Sequence, residues 1–116
     1  MSRTVNKVIL VGFLGDDPRM VEIGFDKWIA NLCIATNHRH KDNEVTEWHD
    51  IVVFNQPAKV AGQYLTKGSS VYIEGRIQTR MWHDHEGVEN YCKEIVVDGD
   101  GELVILNTGN RGDDYE

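Results

Sequence analysis

Cations are scarce in this chain. Its 12 Lys and Arg stand against 19 Asp and Glu, for a formal net charge of −7 and a sequence pI near 5.1. The summed field of such a chain repels polyanions. That excludes non-specific attraction to nucleic acid and confines any nucleic-acid site to a local basic surface. Cysteine is scarcer still: Cys33 and Cys92 form neither a C-x-x-C metal pair nor the dense framework of a small secreted domain. Both read as reduced, small, apolar side chains. No apolar run approaches the length of a membrane span, and M-S-R-T-V-N-K is not followed by a signal-type apolar core with a cleavage site. A cytoplasmic protein without membrane association is expected. The 2 prolines and 11 glycines suit turns rather than disorder, and 116 residues are enough for one core but not two.

Catalytic signatures are missing as well. There is no G-x-S-x-G, no phosphate-cradling glycine loop and no cysteine with a positioned base, so no enzymatic activity is expected. The pairs Asp16-Asp17 and Asp113-Asp114 read as turn and tail residues. His38-x-His40 and His83-x-His85 each put two imidazoles on one side of an extended segment. Zinc needs four converging N or S ligands, and both pairs fall in loops without H-E-x-x-H spacing, so they read as solvated histidines. Neither cofactor nor metal is expected.

What the chain does have is the two-residue period of β-strands. Val5 to Leu14 predicts a first strand apolar on both faces, ended by the turn chemistry of Gly15-Asp16-Asp17-Pro18. Met20 to Ile23 reads as a short extension, Gly24 to Asp26 as a break, and Lys27 to Thr36 as a second strand. Asn37 to Val45 is polar throughout and reads as a long hairpin loop. Thr46 to Phe54 follows as a third strand with Trp48, Asp50, Val52 and Phe54 on one face. Pro57 suits the first turn of a helix, with Asn55 or Gln56 as its cap and Lys67-Gly68 as its end, about three turns at ~3.6 residues each.

Ser70 to Asp84 predicts a fourth strand with two chemically distinct faces. Val71, Ile73 and Ile77, with Gly75 between them, form a core stripe; Tyr72, Glu74, Arg76, Gln78, Arg80 and Trp82 form the other face. The turn His83 to Gly87 leads into a fifth strand, Val88 to Val97. A second turn, Asp98 to Gly101, leads into a short last strand, Glu102 to Leu106. The expectation is an all-β domain with one helix over residues 1–107: an OB-fold, a five-stranded Greek-key barrel with the helix between strands 3 and 4. Residues 108–116 read as a short acidic end without fixed structure.

Trp48, Phe54 and Trp82, taken with Arg76, Arg80 and Lys67, suit a flexible polyanion carrying flat groups: rings stack on bases and cations follow phosphates. Aromatic residues are also ordinary core residues of β proteins. The shared parity of Arg80 and Trp82 favours the binding surface.

Five blocks of sequence carry a resemblance. V-N-K-V-I-L-V-G-x-L-G-x-D-P at Val5 to Pro18, A-N-x-x-I-A-T at Ala30 to Thr36, T-E-W-H at Thr46 to His49, V-V-F at Val52 to Phe54 and Y-L-x-K-G-S-x-V-Y-I-E-G-R at Tyr64 to Arg76 resemble the bacterial single-stranded DNA-binding protein family. The resemblance implies an OB-fold homotetramer that binds single-stranded DNA without sequence preference, protecting it in DNA replication, recombination and repair, on the bacterial nucleoid. It carries stacking roles onto Trp48, Phe54 and Trp82, and phosphate contacts onto Arg3, Lys7, Lys67 and Arg80, beside Arg76. His40 stands where the family has a further stacking tryptophan, with Lys41 next to it on the same surface. Asn6, Val8, Leu10, His49 and Tyr72 fall at the implied subunit interface.

Departures from the family pattern matter too. Asp50, Gln56, Gln78 and Met81 replace residues that favour DNA, which predicts weaker and more salt-sensitive binding. The sequence stops at Gly112-Asp113-Asp114-Tyr115-Glu116, short of the family's long tail: either the tail has been cut away or this is a short-tailed version, and on the second reading little tail-mediated recruitment of replication and repair proteins is expected. The acidic total leaves a second reading, an OB-fold interaction module of a replication-restart complex of primosome type with weak DNA binding.

Overall fold

Alternating apolar and polar residues build seven strands among the described residues, 3–99 and 101–108 of this computed structural model. They are β1 (Val8–Leu14), β2 (Arg19–Gly24), β3 (Lys27–His40), β4 (Asn43–Phe54), β5 (Ser70–His83), β6 (Glu89–Val97) and β7 (Glu102–Asn107), with the helix α1 (Gln56–Tyr64) between β4 and β5. Five of them close a barrel in the order β1-β3-β4-β6-β5, and β5 pairs back onto β1. Closure comes from the short parallel pairing of Ile51, Val52 and Val53 with Ile95, Val96 and Val97. β2 adds to the edge of β3 and β7 to the edge of β5. This is the OB-fold, and in barrel count the helix sits between the third and fourth strands, as the order of elements predicts.

The inward parity supplies the core. Leu32, Ile34, Ile51, Val53, Val71, Ile73, Ile95 and Val97 are buried, and α1 caps them with Ala58, Ala61 and the following Leu65. Each fully buried Val, Leu or Ile contributes about 1.5–3 kcal/mol relative to exposure. Val8, Leu10, Met20 and Trp28 pack on the margin of this cluster. The buried Ser69 is satisfied locally: its Oγ accepts from the Thr66 N–H at 2.9 Å, and its carbonyl accepts from Leu14 N–H at 2.8 Å.

Two strands change partners, and glycine marks both crossings. β1 passes from β5 to β3 near Gly12, where an added Cβ would lie 2.3 Å from the Ala35 carbonyl oxygen; β5 passes to β6 near Gly75, where it would lie 2.4 Å from that of Val96. Only a residue without a side chain admits this approach.

The structure departs from the sequence reading at five places. Asn37 to Val45 is not a loop: β3 and β4 pair out to His40↔Asn43 and turn through Lys41 and Asp42. Met20 to Ile23 belongs to a full strand, β2. Ile77 is 43% exposed rather than in the core: it pairs with Ile95 at the rim of the barrel and lines an open recess with Val8, Leu10 and Trp48. The helix stops at Leu65, whose N–H donates to the Ala61 carbonyl, and Lys67-Gly68 lies in the next turn, with Gly68 at φ 94° and its N–H on the Leu14 carbonyl. At the helix start Asn55 has φ 65° and gives no side-chain cap. Of the acidic end expected from residue 108, only Thr108 is among the described residues.

Candidate nucleic-acid interface

Cross-strand register assembles one outer face from four strands. Ile29 lies opposite Phe54 and Asn31 opposite Val52 on β3 and β4. Val52 lies beside Val96, and on β6 and β5 the pairs are Val96↔Arg76, Glu94↔Gln78, Cys92↔Arg80 and Asn90↔Trp82. Between these strands and β2 runs a groove of about 410 Å³, lined on its walls by Arg19, Phe54, Gln78, Arg80 and Glu94. A recess of about 280 Å³ continues it past Phe54 to Arg76 and Asp98.

The aromatics expected to stack differ in setting. Trp48 is 56% exposed, Trp82 39% exposed and Phe54 half-buried in the groove wall. Trp48 lies farther along the outer face of β4, over Gly15, and lines a neighbouring recess of about 350 Å³ with Leu10, Asp50, Ile77 and Lys93. Arg80 holds its guanidinium carbon 5.1 Å from the centroid of the Trp82 ring, within cation–π range.

The cations expected at phosphates are mostly paired. Arg80 Nε–H donates to Glu94 Oε2 at 3.0 Å, and this hydrogen bond, then the carboxylate charge, raises the guanidinium further above its ordinary value. Arg76 Nη1–H donates to Asp98 Oδ2 at 2.7 Å and its Nη2–H to Gln78 Oε1 at 3.2 Å. Lys7 Nζ lies 2.9 Å from Glu74 Oε2; that contact raises the lysine and, with the Tyr72 hydroxyl, lowers the carboxyl. Lys7 and Arg76 border a common small recess. Lys67 sits apart at the α1–β5 turn, its backbone N–H held by Asp17 Oδ1 at 2.9 Å. Arg3 is exposed ahead of β1, and His40 and Lys41 are exposed at the β3–β4 tip, Lys41 with φ 57°.

Arg19, a cation in the groove wall, is absent from the sequence reading. Its signal is the shared parity of Arg19 and Val21, visible once β2 is taken as a strand. Among the residues expected at a subunit interface, Val8 and Leu10 turn inward against the core. The Asn6 carboxamide forms two 2.9 Å hydrogen bonds with the backbone of Ile77, and His49 Nε2 lies 2.9 Å from Thr36 Oγ1. Burial pushes the Cys33 thiol up, helped by Asp50 across the β3–β4 pair, so it stays protonated. Among the described residues no three His, Cys, Asp or Glu side chains converge as a metal site would require, and no helix is long and apolar enough to cross a membrane.

Residues 5–104 match the model of the Single-strand binding protein family. The chain belongs to that family. A similar solved structure is that of Plasmodium falciparum SSB in complex with single-stranded DNA, with a TM-score of 0.83 and 30% identity, covering 92% of this chain and 99% of that one. For a single-strand binding protein the mixed surface follows a simple logic. Flat rings suit bases of any sequence, and cations suit the backbone common to all of them.

Proposed function

We propose that this protein binds single-stranded DNA without sequence preference, stacking bases on Trp48, Phe54 and Trp82 and following the phosphates with Arg76, Arg80 and Arg19. The observation that carries the reading is the Arg80–Trp82 stack at the end of the Phe54 groove, in a chain of this family. Family membership favours it over the interaction-module reading. Titration with oligothymidylate should quench tryptophan fluorescence at low salt and lose affinity as salt rises, since bound phosphates release counterions. Absence of quenching at low salt overturns the reading.

The acting unit is a homotetramer. Supporting this, β1, β5 and β7 expose an apolar sheet face of Ile9, Val11, Phe13, Val104 and Leu106 around the half-buried Tyr72. Register joins Val11, Tyr72 and Val104 in one row. A continuous exposed apolar patch of this kind marks an association surface. This face adds Ile9, Val11 and Phe13 to the interface expected from sequence and keeps Tyr72. A stable monomer in sedimentation overturns the assignment. In the bacterial cytoplasm, at the nucleoid, such an assembly covers exposed strands during replication, recombination and repair.

A further inference from the structure

A carboxylate in the wall of a groove that is to take phosphates is out of place on charge grounds, yet Glu94 lines this one. It stands opposite Gln78 and on the same face as Arg80. Its side chain is 12% exposed against 53% for Arg80, so the arginine is the member of the pair that a ligand in the groove reaches more readily. Its Oε2 takes the Arg80 Nε–H at 3.0 Å, while the guanidinium lies over Trp82. The groove therefore holds a cation that lies over a ring and is already neutralised.

We propose, building on the DNA-binding reading, that Glu94 is a positioning residue that occupies Arg80 while the groove is empty and yields it to a backbone phosphate when DNA enters. An ion pair with one largely exposed partner is weak, so the exchange is easy. The carboxylate nevertheless remains beside the phosphate that displaces it, and Glu94 thereby holds affinity down and limits how many counterions binding releases. The arrangement ties the strength of binding to one residue that need not touch a base.

The test compares oligothymidylate affinity over a salt series for wild type, Glu94→Gln, Arg80→Gln and the double variant. Glu22→Gln is the control for net charge, since Glu22 lies on the opposite parity of β2 from the groove-lining Val21. Glu94→Gln keeps the side-chain shape and an acceptor for Arg80; Glu94→Ala, lacking both, should shift affinity with the same sign. The expected result is several-fold tighter binding by Glu94→Gln than by Glu22→Gln, with the slope of log K against log salt steeper by about 0.7, the increment for one more phosphate neutralised on a single strand. In the Arg80→Gln background the gain should fall to that of the control. An unchanged slope, weaker binding, or an equal gain with and without Arg80 overturns the proposal. Failure of the wild type itself to bind overturns the DNA-binding reading as well, which separates the two.

Discussion

The indole of Trp48 lies over Gly15, so close that a Cβ on the glycine would meet ring atom Cζ3 at 2.4 Å. The loop after β1 thus sets the tilt of a ring carried by β4. Gly15→Ala should force the exposed ring to another orientation with little effect on the buried core. The expected result is a melting temperature near that of wild type, a changed tryptophan emission, and oligothymidylate binding weakened by part of the ~1–3 kcal/mol that one stacked base is worth. Unchanged binding would show that Trp48 does not need this orientation.

Trp82 carries both a stacking face and the Arg80 guanidinium 5.1 Å from its centroid. Trp82→Ala should therefore weaken binding by about 1–3 kcal/mol, and Trp82→Phe, which keeps a smaller ring, should recover part of it. Fluorescence anisotropy with a labelled oligothymidylate reads both changes. Unchanged affinity in Trp82→Ala would place the ring in a structural role.

Asp84 organises the tip of the β5–β6 hairpin that carries Trp82. Its Oδ1 accepts the backbone N–H groups of Glu86 and Val88 at 2.9 and 3.0 Å, and these bonds, Val88 first, hold its pKa below the ordinary value. A lowered folded-state pKa means that the charged form supports the turn. That support is complete above the ordinary aspartate value of about 3.9 and drains away as pH falls through the lower folded-state value. Amide NMR shifts of Glu86 and Val88 should stay flat near neutrality and titrate only below about pH 3.9, and the titration should vanish in Asp84→Asn. Titration nearer neutrality would contradict the assignment.

Val11 lies in the centre of the apolar β1–β5–β7 face, opposite Tyr72. Val11→Glu places a charge where a second copy would bury it, and an unpaired buried charge is strongly unfavourable. Sedimentation velocity should show the assembly falling to smaller species while circular dichroism stays that of the folded domain. An unchanged sedimentation coefficient would remove this face from the interface.

The barrel was legible because its strands have one wet and one dry side: Val71 and Ile73 alternate with Tyr72 and Glu74, and Pro57 announces the helix. Legibility failed where that contrast disappears. The arms from Asn37 to Val45 stand in solvent on both faces, so no apolar period marks them as strands. Ile77 kept its parity, but parity does not say where the core ends. The three motif aromatics and Arg80 could be read from one face of one strand each. The Arg80–Glu94 and Arg76–Asp98 pairs join β5 to residues 14 and 22 positions away. Only the register of β5 on β6 brings them together, and so the neutralisation of the groove's cations was invisible in a list of charges.

β5 is a single strand with two employers. It shows Tyr72 to the apolar β1–β5–β7 face and, toward its other end, Arg80 and Trp82 to the groove side, roughly 30 Å away at ~3.3 Å per step. Because side chains alternate, one residue added or lost between Glu74 and Arg80 would turn Arg80 and Trp82 to the opposite side while Tyr72 stayed in place. Length changes that preserve both surfaces in this strand come in twos, or bring a compensating bulge with them. The strand therefore works as a reading frame, and related chains that keep both surfaces should differ there in residue type long before they differ in residue count.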